Sequence, residues 1–207
     1  MKKKILIIAL LFVINIVFAE DLTFDEIRNA YSDSYKHEAK EKYEKAINDL
    51  KDVYSSYQNT YTINYRLGWL YYLNGNYANS LEHLQEALTI SVYSVEVLNT
   101  INLVYVIQEK WEKVEEQSAK IIKIDYYNFY ANLRYSTALK MLAKYELAIK
   151  VDRKMLEIFP TSTTFLQELA ENLFLSGEMV ESRSIFKSIL ILDTDNTVAP
   201  YYLEKYK

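Results

Sequence analysis

Residues 61–94 read YTINYRLGWLYYLNGNYANSLEHLQEALTISVYS, and the architecture is legible from this stretch outward. Leu67-Gly68 is followed by Tyr71, then Gly75-Asn76-Tyr77, Ser80, Leu84, Ala87 and Leu88. Its apolar residues recur three and four apart, the period of one helical face. The same spacing repeats along the chain. Rows of 34 residues set from Ile27 run 27–60, 61–94, 95–128, 129–162 and 163–196, with no insertion or deletion. Row five carries Leu169-Ala170, Leu173, Gly177, Met179, Ser182, Phe186 and Ile189. Row four carries Ser136, Leu139, Tyr145, Ala148, Met155 and Pro160. Row one keeps Tyr43 and Ala46, and row three keeps Tyr105 and Trp111.

This pattern resembles the tetratricopeptide repeat, a helix–turn–helix unit of the same length. The resemblance spans residues 27–196 of the 207. It implies an all-α, right-handed solenoid of five helix pairs. Small residues stand where paired helices cross closely: Ser34 or Gly68 on a first helix, Ala46, Ser80, Ala148 or Ser182 on a second. A larger side chain there would push the axes apart. Tyr43, Tyr77, Trp111 and Tyr145 are expected to fill the turns between paired helices. The rows end on Thr60, Ser94, Asn128, Ser162 and Asn196, each with a side-chain oxygen able to cap the next helix. Thr23 with Glu26 offers a capping box ahead of the first helix. Pro200 opens a short terminal helix within 197–207 that is expected to cap the last repeat.

Row three departs most. Asn102, Val114, Ser118 and Ile121 stand where the family prefers small, small, aromatic and small residues. A buried unpaired amide costs roughly 1–3 kcal/mol. Asn102 is therefore expected to find a hydrogen-bond partner or to shift the crossing.

Ahead of the repeats, Lys2-Lys3-Lys4 precedes an apolar run from Ile5 to Phe18, and Ala19 precedes Glu20-Asp21. A basic start, a short apolar middle and a small residue before acidic ones match a secretory signal peptide, residues 1–19. A retained membrane anchor needs roughly 20 apolar residues, longer than this run. The expected mature chain is exported, to the periplasm or beyond, with residues 20–26 leading into the repeats and no further membrane span.

Composition narrows the chemistry. Three glycines cannot supply the turns of a many-stranded sheet or a phosphate loop, and the absence of cysteine excludes disulfides and thiolate metal sites. A formal charge of −4 disfavours phosphate backbones, so no nucleic-acid partner is expected. Ser184 and Lys187 share the serine–lysine spacing of one hydrolase class but have no companion motif. Asp193–Asn196 lacks the glycine and distal glutamate of an EF-hand loop. His37, a helical turn from Glu41, and His83, beside Glu82, form no two-histidine metal motif. No enzyme, cofactor or metal is expected.

The resemblance also assigns a concave face, lined by the first helix of each repeat. Its partner-contacting places fall on Tyr31, Tyr35, Tyr65, Trp69, Tyr72, Leu103, Val106, Tyr130 and Leu133. Glu38 and Thr62 occupy two further such places. The lysine–asparagine clamp that some relatives use to grip a terminal carboxylate is replaced here by tyrosine and tryptophan. The N-terminal half of the groove is expected to be aromatic and apolar. Such rings are either binding hot spots or core. The implied function is a scaffold or adaptor in a cell-envelope assembly serving motility, secretion, the outer membrane or the cell wall. Two alternatives stand beside it: a periplasmic chaperone or carrier, and self-association through Tyr201, Tyr202 and Tyr206.

Overall fold

The computed structural model describes residues 22–205. The expected signal segment and Tyr206 lie outside the described residues. The described chain is helical throughout. Helix α1 (Phe24–Glu38) is followed by α2 (Tyr43–Asn48) and α3 (Lys51–Tyr57), then by the pairs α4 (Tyr61–Leu73) with α5 (Tyr77–Ile90) and α6 (Val95–Ile107) with α7 (Trp111–Ile124). The pairs α8 (Phe129–Met141) with α9 (Tyr145–Ile158) and α10 (Thr163–Ser176) with α11 (Met179–Leu192) come next, and α12 (Val198–Glu204) ends the run. From α4 onward each helix packs on its sequence neighbours, α1 packs on α2, α2 and α3 both pack on α4, and α4, α6, α8 and α10 also touch in succession. This is the nearest-neighbour stacking of a solenoid. None of the described helices is long and apolar enough to cross a membrane.

Two columns of the register build the core. Ser34, Gly68, Asn102, Ser136 and Ala170 share one place on the first helices, and all are buried. Ala46, Ser80, Val114, Ala148 and Ser182 share one place on the second helices, and all are buried. An added Cβ on Gly68 would sit 2.6 Å from Leu84 Cγ and 3.3 Å from the Leu84 backbone nitrogen, so glycine sets how closely α4 and α5 cross. Ser80 Oγ donates to Gly68 O at 2.8 Å, and Ser182 Oγ donates to Ala170 O at 2.7 Å. The small residue thus also stitches the two helices together. Asn102 does find its partner: Nδ2 donates to Ser118 Oγ at 2.7 Å, with both residues buried, while Oδ1 has none.

Every turn within a repeat closes the same way. Glu41, Gly75, Glu109, Ala143 and Gly177 all have positive φ, and each sits at the same place of its row. The following amide reaches back to the carbonyl five residues earlier, as in Asn76 to Tyr71 O and Glu178 to Leu173 O. That is the Schellman closure of a helix C-terminus. The next residue opens the second helix: Tyr43, Tyr77, Trp111 and Tyr145, all partly buried as expected.

The caps follow the row ends with one exception. Ser94, Asn128 and Ser162 accept from the amides of Val97, Ala131 and Phe165. Asn196 Oδ1 accepts from Val198 and Ala199, which gives the Asp193–Asn196 stretch a capping role. Thr60 does not cap α4; its hydroxyl donates instead to Tyr57 O. Thr23 and Glu26 form the full capping box, so α1 begins at Phe24, ahead of the Ile27 row boundary.

Row one also lacks an unbroken second helix. The chain changes pitch at Asp49-Leu50, where Leu50 N bonds to Ile47 O, one residue nearer than in an α-helix. Asp49 Oδ2 lies 2.5 Å from His37 Nδ1. His37 therefore pairs across the repeat with Asp49. Glu41, past the end of α1 in the left-handed turn, is no helical neighbour of it.

At the far end, Tyr202 stacks on Phe186 with ring centroids 4.7 Å apart and meets Phe174 edge-on. Ala199 is fully buried. Tyr202 is thus part of the cap's packing, and Tyr201 is the exposed ring of the two.

Candidate functional site

Helices α1 and α4, with the start of α6, enclose an open concave site of about 620 Å³. It is lined by Tyr31, Tyr35 and Glu38 from α1, by Tyr61, Thr62, Tyr65, Arg66 and Trp69 from α4, and by Glu96 from α6. The rings come together because Tyr31/Tyr35 and Tyr61/Tyr65/Trp69 recur at four-residue spacing on facing first helices. Four of the expected partner-contacting residues, Tyr31, Tyr35, Tyr65 and Trp69, meet here.

The site is not simply apolar. At its floor lies Arg66, 6% exposed. Arg66 Nη1 pairs with Glu38 Oε2, and Nη2 donates to Ser34 Oγ at 3.0 Å. Its guanidinium carbon sits 3.9 Å from the centroid of the Tyr35 ring, a cation–π contact. Trp69 Nε1 donates to Glu38 Oε1 at 2.7 Å. A buried charge network therefore fixes the orientation of Trp69 and one face of Tyr35. Arg66 escapes the sequence reading because its place in the repeat is not one of those assigned to the concave face.

Tyr61 is held as a neutral donor. Burial, aided by the hydrogen bond to Glu96, pushes Tyr61 up to about 12. Tyr61 OH lies 2.8 Å from Ser94 Oγ and also donates to Glu96 Oε1. Burial likewise raises Tyr31 and Tyr65, partly offset by hydrogen bonds with Thr62 and Thr100.

The remaining expected residues lie elsewhere. Tyr72 leans on Trp69 at 5.4 Å and on Tyr77 at 6.4 Å, beyond the lining of the site. Leu103 and Val106 on α6 and Leu133 on α8 are partly buried, and Tyr130 on α8 is 61% exposed. Arg134 lies over the Tyr130 ring at 5.6 Å and donates to Asn99 Oδ1 at 2.8 Å. The structure does not gather these four into the cavity between α1 and α4.

Two further polar clusters lie outside this site. His83 stacks on Tyr71, meets Tyr54 edge-on and contacts Asn64 Oδ1 through Nδ1 at 2.9 Å. Burial lowers its pKa, so the ring is neutral near pH 7. Between repeats four and five, Asp152 is fully buried and accepts from Asn172 Nδ2 at 2.9 Å. Burial raises the Asp152 carboxyl to about 7. Beside it, Lys140 Nζ bridges Glu168 at 3.0 Å and Glu171 at 2.5 Å. Asp152 had a sequence signal: its register column reads Leu50, Leu84, Ser118, Asp152 and Phe186, a charge among core places. Ser184 and Lys187 are both exposed on α11. Among the described residues no group of three or more His, Cys, Asp or Glu is placed to hold a metal ion.

Comparison with known proteins agrees with this geometry. Residues 61–91 match the tetratricopeptide repeat model. No curated protein sequence matches the chain significantly. Among solved structures, MamA from Desulfovibrio magneticus RS-1 superposes with a TM-score of 0.76 over 84% of this chain and 98% of its own, at 13% identity. MamA of AMB-1 gives 0.70 over 81% and 99%, at 22% identity. YrrB, described as a TPR protein with an unusual peptide-binding site, gives 0.72 over 86% and 92%, at 11% identity. One row matches the tetratricopeptide-repeat model, and the stacked helix pairs, closing on the same left-handed turn, share the solenoid fold of MamA and YrrB.

Proposed function

We propose that the chain is a non-catalytic interaction scaffold, exported into the cell envelope, that holds together parts of a multiprotein assembly. The observation that carries this reading is the convergence of four aromatic side chains, Tyr31, Tyr35, Tyr65 and Trp69, from two adjacent repeats on one open site. Aromatics give large contact area at low entropy cost, and a rigid scaffold of packed helices holds them ready. The basic and apolar leader supports export. The assemblies considered are those of motility, secretion, the outer membrane and the cell wall.

The test is mild cross-linking of the tagged chain in cells, followed by fractionation and mass spectrometry. Wild type is compared with a Tyr35→Ala, Tyr65→Ala double variant of unchanged melting temperature. A few stoichiometric envelope partners, lost in the variant, are the expected result. Many substoichiometric clients would replace the scaffold with a chaperone or carrier. Partners kept by the variant would move the binding surface off this site. Recovery of the chain in the cytoplasmic fraction would overturn export.

A further inference from the structure

The charges around the aromatic site are distributed unequally. Arg66 is its one cation, and that charge is turned inward, against Glu38, Ser34 and the Tyr35 ring. Both Glu38 oxygens are engaged, one by Arg66 and the other by Trp69 Nε1. On the opposite rim stands Glu96, exposed, accepting from Tyr61. No cation among the described residues lies within ion-pair distance of it. Arg134, one repeat further on, is directed to Asn99. The accessible part of the site thus offers ring faces and one carboxylate without a counter-charge.

From this geometry we infer that the site takes a polypeptide segment of the partner carrying lysine or arginine beside apolar residues, the cation seated between the rings and Glu96. This rests on the reading of the groove as the docking surface and adds the chemistry of what docks. Ring faces attract cations through their quadrupole, and the attraction grows as water is excluded. An acidic segment would bring its carboxylates against Glu96 and the ring faces with no free cation to meet them. A terminal carboxylate is disfavoured for the same reason.

The experiment is selection of a random dodecapeptide display library on the full chain, followed by affinity measurements on the selected peptides. Lysine and arginine should be enriched over the input library. Binding should be lost in the Tyr35→Ala, Tyr65→Ala variant and should weaken about fivefold in Glu96→Gln, the loss expected for one partly exposed charge contact. Replacing the selected lysine or arginine by glutamate should abolish it. Peptides that need Tyr35 and Tyr65 but show no basic enrichment, or that bind Glu96→Gln as tightly as wild type, would overturn the charge assignment and leave the groove reading intact. A selection with no binder dependent on Tyr35 and Tyr65 would overturn the groove reading and the assignment with it.

Discussion

At the crossing of α4 and α5, Gly68 faces Leu84 so closely that no Cβ fits between them. At the crossing of α8 and α9, the same two places hold Ser136 and Asp152, joined through Asn172 of the next repeat. The backbone frame is the same in both, but what fills it is opposite. The second repeat is closed by apolar volume, which responds to side-chain size. The fourth is closed by a buried carboxyl, which responds to protons, and by the amide that donates to it. A solenoid tolerates this because each repeat contacts only its neighbours, so a local change of chemistry need not be matched along the whole stack.

The comparison breaks most visibly at Leu84. Leu84→Ala should lower unfolding free energy by about 2–5 kcal/mol in urea titration, independent of pH between 5 and 8. The fourth repeat should behave differently. An aspartate normally near 3.8 but held near 7 when folded keeps its proton after the unfolded chain has lost it. Stability contributed there is complete below about pH 4 and falls as pH rises towards about 7, with a limiting slope of about 1.4 kcal/mol per pH unit. Asp152→Asn removes this term. The stability of wild type relative to Asp152→Asn should therefore decline across that window and level off above it. A flat difference would mean that Asp152 is ionised in the fold. Because Glu168 and Lys140 lie close to Asp152, only the difference between the two proteins isolates this group.

Smaller effects sharpen the contrast between turns that look alike in space and differ in sequence. Ala143→Gly should stabilise by about 1 kcal/mol, since a left-handed residue with a Cβ costs about 1–2 kcal/mol. Gly75→Ala should destabilise by a similar amount. Equal effects of opposite sign in thermal melts are expected; no change in either would mean that the turn relaxes. Smallest is the cap pair. Ser162→Ala should cost about 1 kcal/mol, and Thr60→Ala only a few tenths, because Thr60 donates to Tyr57 O and caps nothing.

Much of the fold was legible in the residues. The period and its apolar spacing gave the helix pairs, the small-residue columns gave the crossings, and Ser94, Asn128 and Ser162 gave the caps. Gly75 and Gly177 marked two of the turns, but Glu41, Glu109 and Ala143 adopt the same left-handed conformation with no glycine to announce it. The break at Asp49-Leu50 carried no proline or glycine signal either. In the candidate site, Tyr31, Tyr35, Tyr65 and Trp69 were reached from the family's concave places. Arg66 and Tyr61 were missed, and with them the charge that underlies the aromatic surface.

The difference has one physical cause. Helix periodicity, Schellman closures and most caps depend on residues within five positions of one another, so the local sequence determined them almost completely. Arg66 with Glu38, Asp152 with Asn172 and Tyr61 with Glu96 join residues 28, 20 and 35 positions apart. The repeat period puts such pairs in the same neighbourhood. Only the stacked tertiary structure decides which side chain turns inward, which charge is neutralised and which is left facing the groove.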